Sequence, residues 1–221
     1  MTGVDVDPLT IRVDLRSAWS SVRDQGGRSA CLACAASDAH AYCRGRAQPL
    51  SAEFLFYHAG QRMPHKSVAL GLTYDAVDLA LQADGQPDEA EWPYTTTEPN
   101  PWTPPAVSQR WHGDLKPPGA DIPSLVSAIE KRQPVLVGLR LTPEFMGLNS
   151  PPYIVSGRAR GFGGHAVLAV GLADHQTHGE LILVRNSWGA NWGGGGCAWL
   201  TTDHITDNLI GYRVVSPISA P

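Results

Sequence analysis

The residues equipped for chemistry are Cys31, Gln25, His165 and Asn186, carried by Gln25-Gly-Gly-Arg-Ser-Ala-Cys31, Gly163-Gly-His-Ala-Val167 and Arg185-Asn-Ser-Trp-Gly189. A cysteine that opens a helix has its sulfur near unpaired backbone N–H groups and the positive end of the helix dipole, both of which favour thiolate over thiol. The apolar positions Leu32, Ala35, Ala36, Ala39 and Tyr42, with Cys43 beside them, have helical spacing, which predicts a central helix over residues 31–46 beginning at Cys31. Six residues upstream, Gln25 offers a side-chain amide that the glycine-rich turn folds back toward the sulfur as a donor for a developing oxyanion. His165 supplies an imidazole and Asn186 an amide to orient it.

Each of these residues has a plainer reading. A cysteine in an alanine-rich helix is most often a small buried hydrophobe, and Cys34 and Cys43 are read that way. Cys31-Leu-Ala-Cys34 also has the spacing of a redox pair, and Cys31, Cys34 and Cys43 joined by a histidine have ligand types suited to zinc. The first lacks an early strand-helix-strand context; the second lacks another C-x-x-C or a matched histidine pair. His165 in isolation reads as a core histidine, and only its two preceding glycines and its distance from Cys31 mark it as a base. His175 and His178 lie in a polar loop, a weak metal signal, while His40, His58, His65, His112 and His204 read as surface or structural. The glycines at 193–196 have no lysine and no following amphipathic helix to suit phosphate, and read as a hairpin loop.

Taken in order, Gln, Cys, His and Asn give a chain that resembles the papain-like cysteine peptidases. The matching motifs are Asp24-Gln25-Gly26, the helix from Cys31, Gly164-His165-Ala166-Val167 and Asn186-Ser187-Trp188-Gly189. His165 follows Cys31 by 134 residues (165 − 31) and Asn186 by 155 (186 − 31), close to the spacing of that family. Weaker matches at Val13-Asp14-Leu15-Arg16, 71–76, Glu91-Trp92-Pro93-Tyr94 and Gln133-Pro134-Val135 extend the resemblance over nearly the whole chain.

The resemblance implies an α+β papain-like fold forming one catalytic domain over 1–221, with a helical lobe at about 15–115, a β-barrel-like lobe at about 116–221 and a cleft between them. It implies hydrolysis of peptide bonds with no cofactor and no metal. Cys31 and His165 would rest as a thiolate–imidazolium pair, Gln25 and the Cys31 N–H would hold the oxyanion, and Asn186, shielded by Trp188, would orient the ring. The selecting pocket would be walled by Leu72, Ala76, Gly138 and Gly163, roomy and apolar because two of these are glycines, with Gly164 and Trp188 completing the substrate site. The same site suits acyl transfer or deamidation, and a silent peptide-binding module is the reading from another class. Three departures stand out. Leu32 and Cys197 occupy places usually aromatic, and Arg28 and Val68 match positions where secreted members carry a disulfide. No inhibitory propeptide precedes Val13-Asp14, so restraint is expected from a regulatory or inhibitory protein partner, unless Met1 begins a matured fragment.

The elements that must position these groups are legible from composition and period. With 221 residues and 43% hydrophobic content the chain can bury a large core, and a formal charge of −4 gives no general attraction to nucleic acid or to an anionic membrane. The absence of a signal-like start and of any apolar run near membrane-spanning length predicts a soluble, cytoplasmic protein, consistent with cysteines suited to a reducing compartment. The Ala/Gly/Arg/Pro-rich composition points to a bacterial source. Met1–Thr10 reads as a surface arm. Helices are predicted from Ser51 as N-cap through Phe54, Leu55 and His58, over Tyr74–Gln82 and over Ile122–Lys131. Eight prolines from Pro93 to Pro123 predict an extended crossing between lobes, without helix and with little sheet pairing. Strands are expected at Val135–Leu141, His165–Gly171, Leu181–Asn186, Ala198–Thr201 and Tyr212–Val215.

Overall fold

A helical first half packs against a sheet built mainly from the second half, in a computed structural model that describes residues 9–117, 119 and 121–219. Most of the expected arm at Met1–Thr10, together with Pro118, lies outside the described residues. The central helix α1 spans Cys31–Cys43, and every residue from Leu32 to Ala41 is buried. A helix enclosed on all sides has its neighbours around it; here they are α2 (Ala52–Gly60), α3 (Tyr74–Ala83) and the sheet. α1 stops three residues short of the predicted end, and Gly45 follows it in the left-handed region at φ 63°. The Ser51 hydroxyl accepts from the Phe54 N–H, and Thr73 accepts from Ala76, so both following helices start at side-chain caps. α4 (Ile122–Glu130) is capped in the same way by Asp121.

The strands are β1 (Thr10–Asp14), β2 (His112–Lys116), β3 (Val135–Leu141), β4 (Ile154–Val155), β5 (Phe162–His175), β6 (Gly179–Arg185), β7 (Cys197–Thr201) and β8 (Leu209–Ile218). They form one sheet in the order β2-β8-β3-β5-β6-β7-β4, with β1 added beside β5. All pairings are antiparallel except β4 with β7. β5 is the long axis: its first half pairs with β3 and its second half with β1 on one side, and β6 pairs with it from Leu168 to His175. At the changeover, a Cβ on Gly171 would lie 2.5 Å from the Val13 carbonyl oxygen, so only glycine lets β1 approach. The glycines at 193–196 form the turn between β6 and β7. Among the described residues the remaining α-helices are short, α5 (Pro143–Met146) and α6 (Thr202–Asn208).

The proline-rich crossing needs a correction. His112–Lys116 is a proline-free interval between Pro105 and Pro117, and it pairs through five residues with β8 as an edge strand of the sheet. Prolines at the ends of an edge strand do not interrupt its ladder. β1 likewise joins the sheet from the N-terminal side, so the sheet draws strands from both halves of the sequence.

Candidate active site

His165 and Asn186 meet because β5 and β6 are neighbours. Leu168 pairs with Arg185, and carrying that register three residues past the end of β6 sets His165 opposite Trp188. Their rings lie 4.6 Å apart between centroids at 34°. At the end of β6, the Asn186 side-chain oxygen accepts from His165 Nε2 at 2.7 Å and from the Ser187 N–H at 2.8 Å. Two donors on one oxygen define which way the amide points, and therefore the tautomer: His165 carries its proton on Nε2 and presents a basic Nδ1. Asn186 is thus an acceptor toward the ring.

Cys31 sits on the opposite wall. The N-cap of α1 is Ala30, which offers no side-chain acceptor, so the sulfur at the first helical position lies beside helix N-terminal N–H groups that no cap satisfies. Cys31 and His165 line the same cleft, about 560 Å³ in volume, together with Gln25, Gly164 and Trp188. Burial pushes the Cys31 thiol up, opposed by backbone N–H groups of Ala166, Leu32 and Cys31 itself. Burial also lowers the His165 pKa to about 4, against the hydrogen bond to Asn186, which raises it. Burial taken alone weighs against the charge on each group, while the attraction between a thiolate and an imidazolium across the cleft acts the other way. Cys34, one turn on, is 1% exposed, with its thiol pushed up to about 12 by burial, and Cys43 donates to the His40 carbonyl at 3.3 Å. All four cysteines are free thiols. Among the described residues no group of three or more His, Cys, Asp or Glu side chains is arranged to hold a metal.

Gln25 is 8% exposed and tied at every end. Its Nε2 donates to the Arg28 carbonyl at 2.8 Å, leaving the second N–H of the amide for the cleft that the residue lines. Its Oε1 accepts from the Ser187 hydroxyl at 2.7 Å, and its backbone N–H donates to the Ser187 carbonyl at 2.8 Å. Ser187, adjacent to Asn186, thereby couples the two walls. The Tyr94 hydroxyl donates to the Gln25 carbonyl at 2.9 Å.

Of the expected pocket, Leu72, Gly138, Gly164 and Trp188 line the cleft. Ala76 and Gly163 are not among its lining residues. Ala76 is 4% exposed and faces the core from α3, and Gly163 is an exposed residue at φ 61° near the start of β5. Gly138 does not widen the pocket either, since a Cβ there would lie 3.0 Å from the hydroxyl of Tyr74, which fills that side and donates to the Gly211 carbonyl at 3.0 Å. Further apolar lining comes from Leu32, Leu70, Leu141 and Ile210, with Ala69 and Ala166.

The sequence reading missed the groups that support the chemistry. Phe145, on α5, meets Trp188 at 5.7 Å and Trp192 at 4.8 Å, walling the His165–Asn186 bond on its far side. The repeat Trp188-Gly-Ala-Asn-Trp192 is a signal that could have found Trp192; nothing local marks Phe145.

A thiol at a helix start and an imidazole oriented by an amide line one cleft between a helical and a β wall, residue types suited to acyl transfer through a cysteine. The sequence matches the model of the papain family cysteine proteases over residues 9–218, and the chain belongs to that family. It is 27% identical to cathepsin Q of Rattus norvegicus over 198 residues, covering 85% of this chain and 57% of the relative. It is 32% identical to cathepsin B-like CP2 of Giardia intestinalis over 77 residues, covering 34% of this chain and 25% of the relative. The chain therefore spans little more than half of the first relative and a quarter of the second. Among solved structures it is similar to xylellain, a cysteine protease from Xylella fastidiosa, with a TM-score of 0.79 at 24% identity over 94% of this chain and 86% of that one. It is also similar to the proform of the ragweed pollen cysteine protease Amb a 11, with a TM-score of 0.71 at 24% identity over 100% of this chain and 69% of that one. These likenesses establish the papain-like α+β fold. No helix among the described residues is long and apolar enough to cross a membrane.

Proposed function

We propose that this chain hydrolyses peptide bonds through an acyl-enzyme on Cys31. The observation that carries the reading is the bond from His165 Nε2 to the Asn186 oxygen at 2.7 Å, because it leaves Nδ1 as the base in the cleft that Cys31 lines. The proton of Cys31 Sγ passes to His165 Nδ1, and the sulfur adds to the scissile carbonyl carbon. The mutual attraction of thiolate and imidazolium offsets the burial of both groups and readies the pair for attack. The carbonyl oxygen, now an oxyanion, accepts from Gln25 Nε2 and the Cys31 N–H, each good donor contributing about 3–4 kcal/mol. Collapse breaks the C–N bond, and His165 delivers its proton to the leaving amine. Water then attacks the thioester, giving its proton to His165, and the thiol leaves with it. Asn186 holds the ring in plane throughout, and Phe145, Trp188 and Trp192 keep water from the bond that does so.

The cleft is lined by Leu32, Leu70, Leu72, Leu141 and Ile210, and Arg28, the one arginine or lysine among the described residues that line it, is paired with Glu53. This supports a substrate with a bulky apolar side chain near the scissile bond. A peptide-library profile dominated by Arg or Glu at that place would reject it. Four free thiols support work in a reducing compartment such as a cytoplasm.

The test is a thiol-directed epoxide and a fluorogenic peptide pool, with Cys31→Ala as control. Labelling at Cys31 with turnover, both lost in Cys31→Ala, is the expected result. Labelling without hydrolysis would replace hydrolysis by transfer to another nucleophile, labelling at Cys34 would overturn the nucleophile, and neither labelling nor turnover would leave a binding module.

A further inference from the structure

We infer that Arg28 is a positioning residue for the oxyanion donor: its side chain, clamped by Glu53, fixes the peptide whose carbonyl aims the Gln25 amide. The inference rests on the reading of Gln25 as an oxyanion donor and adds what holds it in place.

Arg28 lies three residues before the sulfur and is 8% exposed, although arginine rarely abandons water. Its two terminal nitrogens donate to the two carboxylate oxygens of Glu53 at 2.6 and 2.8 Å, the planar fork that arginine forms and lysine does not. Nη1 also donates to the Thr95 carbonyl at 2.8 Å. Glu53 is fully buried on α2 and accepts further bonds from Trp102 Nε1 at 2.6 Å and the Thr95 N–H at 3.3 Å. The guanidinium carbon lies 5.0 to 5.2 Å from the ring centroids of Phe56, Tyr94 and Trp102, so three aromatic faces surround the cation.

The backbone of the same residue performs the second task. The Arg28 carbonyl accepts from Gln25 Nε2 at 2.8 Å and from the Ala30 N–H at 2.8 Å, and its N–H donates to the Gln25 carbonyl at 3.4 Å. Tyr94 closes the circuit, with its ring against the guanidinium and its hydroxyl on the Gln25 carbonyl. Gly26, at φ 58°, leaves the turn little backbone resistance of its own to displacement. A buried ion pair is a weak source of net stability, whereas its fixed fork geometry locks one arrangement of the groups around it. Charge buried here serves placement.

The experiment is a double-mutant cycle on the full chain between Arg28→Lys and Gln25→Ala, read with a fluorogenic peptide amide, a peptide aldehyde and iodoacetamide. Amide turnover and the tetrahedral aldehyde adduct need the oxyanion donor; simple alkylation of Cys31 does not. Gln25→Ala is expected to lower kcat about 100-fold. Arg28→Lys is expected to lower kcat about tenfold with KM within twofold, to weaken the aldehyde by the same factor and to leave the alkylation rate unchanged. The double variant is expected to be no slower than Gln25→Ala alone, because both changes remove one contribution. Multiplicative losses, or an alkylation rate that falls with kcat, would overturn the positioning role and leave the oxyanion reading intact. An unimpaired Gln25→Ala protein would overturn both. If Arg28→Lys does not fold, Glu53→Gln keeps the shape and enters the same cycle with the same expectations.

Discussion

The two walls of the cleft are held by different physics. Behind the Cys31 wall lie buried charges: Arg28 with Glu53, and Asp38 of α1 between Arg23 at 2.7 Å and Arg185 at 2.9 Å, with Arg23 also reaching Glu89 at 3.0 Å. Behind the His165 wall lie rings: Phe145, Trp188 and Trp192 stack about the imidazole and one another at centroid distances of 4.6 to 6.1 Å. The division follows from what each wall carries. A loop with glycines at 26 and 27 has little apolar surface to anchor it, and directional bonds fix it. A strand residue is already placed by its ladder, and what remains is to exclude water from one hydrogen bond, which aromatic surface does.

The comparison can be broken most sharply at Asp38. Asp38→Asn removes the anion from between two buried guanidinium groups, and the expected loss is about 3–5 kcal/mol by chemical denaturation. A loss under about 1 kcal/mol would mean that these charges do not support the wall. Next is acid sensitivity, where the helical wall contributes a buried histidine. His40, on α1, has its pKa lowered by burial to about 4. The unfolded chain takes up this proton near pH 6.5 and the folded chain only near pH 4, so stability is complete above pH 6.5 and falls as pH drops through that window, by up to about 3 kcal/mol. His40→Asn should flatten this acid limb; an unchanged slope would show that His40 does not titrate this way.

On the ring side, Phe145→Leu keeps an apolar side chain in the 2%-exposed site, and an expected loss of about 1–2 kcal/mol with a several-fold lower kcat would mark the water-excluding role. Unchanged kcat at that stability loss would reduce Phe145 to packing. The smallest effect belongs to the exposed pair Arg158–Asp207, joined at 2.9 Å yet with the arginine side chain 63% exposed. Arg158→Ala should move the melting temperature by no more than the equivalent of about 0.5 kcal/mol, in contrast with the enclosed pairs.

What the sequence disclosed is what it writes locally. The start of α1, the three capped helices and the cores of the major strands follow from period and cap residues within a few positions of one another. Cys31, His165 and Asn186 stood out through spacing and neighbours. Glu53 reaches Arg28 across 25 residues, and Trp102 and Thr95 approach from the proline-rich stretch, where no period records what a side chain faces. β1 has one buried residue in five, too few to alternate visibly, and α6 is mostly polar. Part of the pocket was illegible for a related reason: Ala76 and Gly163 lie outside its lining, and the volume beside Gly138 is decided by Tyr74, a residue of another element.

The most direct test of the account is the rate at which iodoacetamide alkylates Cys31, mapped by mass spectrometry from pH 4 to 10 in the native protein and in His165→Ala. The account predicts fast alkylation of the native thiol at pH 7. In His165→Ala the rate at that pH should fall by a factor on the order of 100, recovering only above the ordinary thiol range, since the base that removes the proton is gone. Equal rates in the two proteins at pH 7 would contradict it, because Cys31 would then not depend on the imidazole across the cleft.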